Sequence, residues 1–167
     1  MTRYFAFVSL LIILMSGAAQ ADFAAGLKAQ QTGDFETALK EWSKDAEAGN
    51  KHAQFNIAEL FRQGKGASKS MEQAFKWYLR AAEQDVIEAQ RNVGIMYGRA
   101  IGVALDDVES FKWLSIASAK GDIEAKKALG FMKKRIMHGP DKDAAKKIIG
   151  EAQFRAASWE PKIESSN

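Results

Sequence analysis

Thirty-six residues separate Ala38 from Ala74, and thirty-six more separate Ala74 from Ser110. The surrounding positions keep the same step without a gap. Leu39 falls on Phe75 and Phe111, Lys40 on Lys76 and Lys112, and Glu41 on Trp77 and Trp113. Further on, Ala53 falls on Ala89 and Ala125, Asn56 on Asn92, and Ile57 on Val93 and Leu129. Ala58 meets Gly94 and Gly130, Phe61 meets Tyr97, and Gly66 meets Gly102. A fixed period of this length marks a stack of small supersecondary units. Each is too small to bury its apolar face alone, so neighbours must supply the core.

Each unit reads as two helices. Ala53–Phe61 and Ala89–Tyr97 carry small and large apolar residues at helical spacing. A loop of about seven residues follows, at Gly64–Ser70 and again at Ala100–Asp106. The second helices are expected over Met71–Gln84 and Asp107–Lys120. Their starts carry capping boxes, Ser70-x-x-Gln73 and Asp106-x-x-Glu109, in which both side chains are expected to satisfy orphan backbone N–H groups. Gly49 and Gly121 sit where such a helix stops in a left-handed turn, and Asn50 and Asp122 are placed to start the next. Ala58, Gly94 and Gly130 are expected where a first helix crosses its partner closely. Trp42, Phe75, Trp77, Tyr78, Phe111 and Trp113 are expected to fill the gaps between pairs.

The first unit is four residues shorter in its loop. Phe23–Gln31 is its first helix with Gly26 at the crossing, Thr32-Gly33-Asp34 its turn, and Phe35–Ala48 its second helix. After Asp122 the pattern fades. Asp122–Met137 reads as one helix broken by His138-Gly139-Pro140, and Asp141–Trp159 as a last helix with a polar outer face, as a terminal cap needs. The expected fold is therefore all-α: a right-handed α-solenoid of antiparallel helix pairs, with about eight helices. Its organisation is a repeat array over 22–137, a capping helix over 138–160 and a tail over 161–167.

The first 21 residues read as an address. Met1–Tyr4 holds Arg3, Phe5–Met15 is an apolar run, and Ala19-Gln20-Ala21 fits a small-x-small cleavage pattern. The run is shorter than the ~20 apolar residues that a spanning helix needs. Cleavage after Ala21 is expected, against the alternative of a retained anchor. The destination is then the periplasm or the outside of the cell, with no insertion in the membrane afterwards. The 167 residues contain no cysteine, which excludes disulfides and thiolate zinc sites. Lys and Arg number 24 against 21 Asp and Glu. The cluster Lys126, Lys127, Lys133, Lys134 and Arg135 is a basic stripe, but no nucleic-acid motif accompanies it, so no nucleic-acid partner is expected.

The segments Ala53-Gln-Phe-Asn-Ile-Ala-Glu-Leu-Phe61 with Gly64-Lys-Gly66, and Glu72-Gln-Ala-Phe-Lys-Trp-Tyr-Leu-Arg-Ala-Ala82, resemble the Sel-one-like repeat family, a relative of the tetratricopeptide repeats. They recur as Ala89–Tyr97 and Ser110–Leu114. The resemblance covers most of Phe35–Leu129. It implies a scaffold or adaptor that binds a protein or peptide partner, here one of the cell envelope, and it does not name that partner. Carrying over the tetratricopeptide-like pattern, the partner is expected in a groove lined by the first helix of each pair. Counting from Ala58, that groove takes His52, Phe55, Glu59 and Arg62; from Gly94, it takes Glu88, Arg91, Ile95 and Gly98. From Gly130 it takes Glu124, Lys127, Phe131 and Lys134. An acidic and apolar segment suits that mixture. Phe55 and Phe131 have a second reading, in which they pack against the next repeat. If the groove is not the site, the loops 64–70 and 100–106 are the next candidates.

Catalysis has little material. His52 and His138 are the two histidines; the close-lying pair that a zinc helix motif needs is absent, and they are poor stock for a triad. There is no Ser-x-x-Lys, and Gly64-x-Gly66 lacks the third glycine of a dinucleotide loop. No catalytic residue, cofactor or metal is expected. The alternative class is an envelope enzyme or accessory acting on peptidoglycan or a β-lactam. Cysteine-rich relatives have been linked to β-lactam hydrolysis, and this chain does not match them.

Overall fold

The structure is a computed structural model and describes residues 23–162. Among these there are eight helices and no strand: α1 (23–31), α2 (Phe35–Glu47), α3 (Lys51–Gln63), α4 (Met71–Glu83), α5 (Ile87–Arg99), α6 (Asp107–Ala119), α7 (Ile123–Met137) and α8 (Lys142–Ala157). The helices expected from the sequence agree with these to within two residues at each end. The expected leader over 1–21 and the last residues of the expected tail lie outside the described residues. The architecture is the all-α solenoid of helix pairs that the period demanded, with α1/α2, α3/α4 and α5/α6 as successive pairs.

The starts and stops are local chemistry. Asp34, Asn50, Ser70, Asp106, Asp122 and Asp141 each cap a helix by accepting a hydrogen bond from a backbone N–H in its first turn. The capping boxes are only half made. The N–H groups of Ser70 and Asp106 donate to the carbonyls of Phe61 and Tyr97 instead of to Gln73 and Glu109. Those two bonds lie 36 residues apart and close the loop in each unit. Gly49 and Gly121 adopt φ of 96° and 93°, as expected. Asp85 holds the same turn in the middle unit at φ 71°, a conformation that Asp tolerates better than most residues.

Packing between units repeats as faithfully as the sequence. Gly66 and Gly102 sit at positive φ, and a Cβ on either would overlap the carbonyl of Phe35 or Met71, themselves 36 apart. Each loop thus seats on the start of the preceding unit's second helix. Gln54 and Gln90 are fully buried and donate to the carbonyls of Ala46 and Ala82 near the ends of the preceding second helices. Trp42, Tyr78, Trp113 and Leu114 fill the space between helices, almost without exposure.

The last unit departs from the pattern. Expected as a close crossing, Gly130 is exposed, and a Cβ there would meet no described residue within 4 Å. The cause is α8, which packs along α6 and barely touches α7. Its apolar side, Ala145, Ile148 and Ala152, joins Phe111, Leu114 and Ala117 of α6. The chain end then turns back: Trp159 meets Trp113 edge-on at 5.8 Å, and the N–H of Lys162 donates to the carbonyl of Glu83 at 2.7 Å.

Candidate functional site

The first helices α3, α5 and α7 stand side by side, and the space between α5 and α7 opens into a trough of about 710 Å³ floored by α6. Helical spacing builds its walls. Arg91, Ile95, Gly98 and Arg99 recur on one side of α5; Glu124, Lys127, Ala128, Phe131, Met132 and Arg135 do so on α7. Ser110 and Leu114 of α6 close the bottom, where the Ser110 hydroxyl donates to the carbonyl of Gly94 at 2.6 Å. Gly98 lets the elements approach, since a Cβ there would stand 2.6 Å from Ser110 Oγ and 3.0 Å from Met132 Sδ. The floor is apolar and the rim carries four cations against the single acid Glu124.

The cations differ in how committed they are. Arg91 is bound to Asp122 at 2.5 Å, and Asp122 also caps α7, so Arg91 ties α5 to the start of α7. Lys127 pairs with Glu124 at 2.8 Å, and Arg135 pairs with Asp107 at the start of α6. Arg99 has no ion-pair partner among the described residues and is exposed. Phe131 is 75% exposed at the trough's edge. That answers its two readings: it does not pack against another repeat.

A smaller hollow of about 260 Å³ continues between α3 and α5. Arg62, Lys69, Tyr78, Asn92, Ile95 and Met96 line it, and Ile95 belongs to both spaces. Here a hydrogen-bonded knot forms. Arg62 clasps Glu59 at 2.6 Å, the Tyr78 hydroxyl donates to the same carboxylate, and Gln63 donates at 2.8 Å. Burial alone would raise the Glu59 carboxyl above its ordinary value; the donors Arg62, Tyr78 and Gln63 outweigh it and hold it below. Burial and the negative Glu59 together raise the Tyr78 phenol.

Of the residues expected in the groove, the trough gathers Arg91, Ile95, Gly98, Glu124, Lys127 and Phe131, and the hollow gathers Arg62. His52, Glu88 and Lys134 are exposed and line neither space. Phe55 takes its other reading: it is half-buried with its ring 5.6 Å from Tyr78, a packing residue between α3 and α4. Arg99 and Arg135 were missed by counting from the crossing glycine. They lie 36 residues apart, so the repeat itself carried the signal.

Among the described residues no group of three His, Asp or Glu side chains is placed to hold a metal ion, and no helix is long and apolar enough to cross a membrane.

The Sel1 repeat matches twice, over residues 51–86 and 87–122. Each match takes in one first helix, its loop and one second helix. No protein of curated function matches the chain. Among solved structures, a Sel1 repeat protein from Oxalobacter formigenes is 30% identical with a TM-score of 0.64, covering 75% of this chain and 97% of its own. The c5321 protein, a protective antigen present in uropathogenic Escherichia coli strains and displaying an SLR fold, is 26% identical with a TM-score of 0.74. That match covers 90% of this chain but 32% of the antigen, so the chain spans about a third of its length. A 36-residue period, paired helices seated through loop glycines, and these likenesses agree: the chain belongs to the Sel1 repeat family and is a Sel1 repeat scaffold.

Proposed function

We propose that the chain is an exported scaffold, periplasmic or secreted after cleavage at Ala21, that binds a protein of the cell envelope through the trough between α5 and α7. The observation that carries the reading is the trough's composition. An apolar floor of Ile95, Leu114 and Met132 is rimmed by cations, with Arg99 unpaired among the described residues and Phe131 standing 75% exposed beside it. Large apolar side chains exposed next to a cavity mark recognition surfaces. A partner segment with an apolar anchor and acidic neighbours fits that charge, and opposite charge raises the rate of encounter.

The test uses the chain from Asp22 onward as bait for envelope extract. One dominant protein is expected, and it is lost with Arg99→Glu or Phe131→Asp. Both side chains are exposed, so the variants should keep the parent's melting temperature. Undiminished capture by both variants would rule out the trough. Turnover of peptidoglycan or a β-lactam by the pure protein would favour an enzyme instead. Export is checked by fractionation and N-terminal sequencing, which should begin at Asp22.

A further inference from the structure

Each well-formed pair in this chain closes on one device: a small residue on the first helix set against a large one on the second. A Cβ at Gly26 would overlap the Trp42 ring, and one at Gly94 would stand 2.7 Å from Leu114 Cγ. Leu114 lies twenty residues after Gly94. Twenty after Gly130 lies Gly150, and a Cβ on either of those two would meet no described residue within 4 Å. The crossing on α7 is therefore built but unfilled.

The reason α8 does not fill it is chemical. Gly150 offers no side chain for the slot. The residues one turn before it, Lys146 and Lys147, would set charge against the lysines of α7. Its apolar residues Ala145, Ile148 and Ala152 join a core built with Phe111, Leu114 and Ala117 of α6 and the buried side of α7, Ala125, Met132 and Ile136, with α8 lying mainly along α6. A second copy of α7 would meet the same repulsion.

What surrounds Gly130 defines the missing occupant. Its neighbours at three, four and seven residues are Lys126, Lys127, Lys133, Lys134, Ile123 and Met137, which share one helix face. All six are exposed, Ile123 at 68%. Lys126, Lys133 and Lys134 have no carboxylate partner among the described residues, while Lys127 meets Glu124. The helix dipole favours the cations in the last turn but not Lys126 and Lys127 near the start. Glycine is the poorest helix former after proline, and it suits a helix where another backbone comes close. We propose that this face docks an acidic amphipathic helix of a partner protein. That helix crosses α7 at Gly130 with a leucine-sized side chain and sets its carboxylates against the four lysines. The face centres on Gly130 and shares only Lys127 with the rim of the trough.

The probe is a fluorescein-labelled helical peptide of about 16 residues, long enough for roughly four turns, with leucines along one face and glutamates beside them. Anisotropy is measured against the chain from Asp22 onward. The peptide should bind and weaken about tenfold or more on raising salt from low to ~0.5 M, where charges are screened beyond a few ångströms. Gly130→Leu should weaken binding about tenfold without lowering the melting temperature, because the added side chain meets no neighbour in the free protein. Lys126→Glu with Lys133→Glu and Lys134→Glu should abolish it, and Arg99→Glu in the trough should leave it unchanged. The proposal is overturned if the peptide does not bind, or if Gly130→Leu binds as tightly as the parent. It is also overturned if Arg99→Glu alone removes binding, which would put the peptide in the trough. Equal binding of a lysine-for-glutamate peptide, or capture only by anionic phosphatidylglycerol vesicles, would overturn it as well.

Discussion

Ala100 stands where the preceding unit has Gly64, and both adopt left-handed backbone, at φ 52° and 70°. For glycine that costs nothing extra, whereas an L-residue with a Cβ loses about 1–2 kcal/mol there. The second unit thus carries a strain at its loop that the first does not. Ala100→Gly removes the Cβ but also frees the unfolded chain, which offsets part of the gain. We expect a net stabilisation of about 0.5–1 kcal/mol, read as a higher urea midpoint with an unchanged slope. A lower midpoint would mean that the methyl group contributes packing worth more than the strain. The same scale explains a residue with no place in the helix-pattern reading. Gln90 is fully buried because its amide must satisfy a carbonyl, that of Ala82, and not because it is apolar.

Between elements, polar contacts join what the apolar pattern only aligns. Glu59 of α3 accepts from Tyr78 of α4, and with Arg62 and Gln63 it forms the one dense polar knot on the groove side of these helices. Its carboxyl lies below the ordinary 4.5 in the folded chain. The unfolded chain therefore takes up the proton first as pH falls. The stabilisation is complete above pH about 4.5 and is lost as pH drops through the lower folded value. Glu59→Gln keeps a hydrogen-bonding side chain but has no proton to gain. Its melting temperature should be somewhat lower than the parent's at pH 7, with the gap closing towards pH 3. A gap that stays constant from pH 7 to pH 3 would show that the charge is not what the knot uses.

At the scale of the whole molecule, a solenoid is a chain of nearest-neighbour contacts. This one has an exception. The segment after α8 returns to α6 and α4, where Trp159 packs on Trp113 beneath the Lys120 ammonium and Lys162 pairs with Glu83. These contacts tie the chain after α8 both to α6, on which α8 rests, and to α4 in the unit before it. Trp159→Ala should cost about 2 kcal/mol, less than a fully buried tryptophan because Trp159 is only half-buried. It should also expose the end of α8 to protease before the array is cut. Protease cutting first within α1–α5 in the variant would show that α8 does not depend on this strap.

The 36-residue period by itself determined the helix pairs, their order and nearly all their ends, because starts and stops are set by a few adjacent residues. Asn50, Ser70, Asp106 and Asp122 cap through their own side chains, and Gly49 and Gly121 turn because they lack a Cβ. The alternation of small and large residues also foretold the crossings at Gly26 and Gly94. Half of the trough's lining followed from the same counting. Only the tertiary structure decided that Phe55 belongs to Tyr78, that Arg91 is consumed by Asp122, and that Gly130 stands open. A side chain's partner depends on which of several nearby surfaces wins, and that competition is settled between elements distant in sequence. The choice of α8 for α6 over α7 is the clearest case. Local signals gave it a start and a polar face, while the apolar strip of α6 and the lysines of α7 determined where it came to rest.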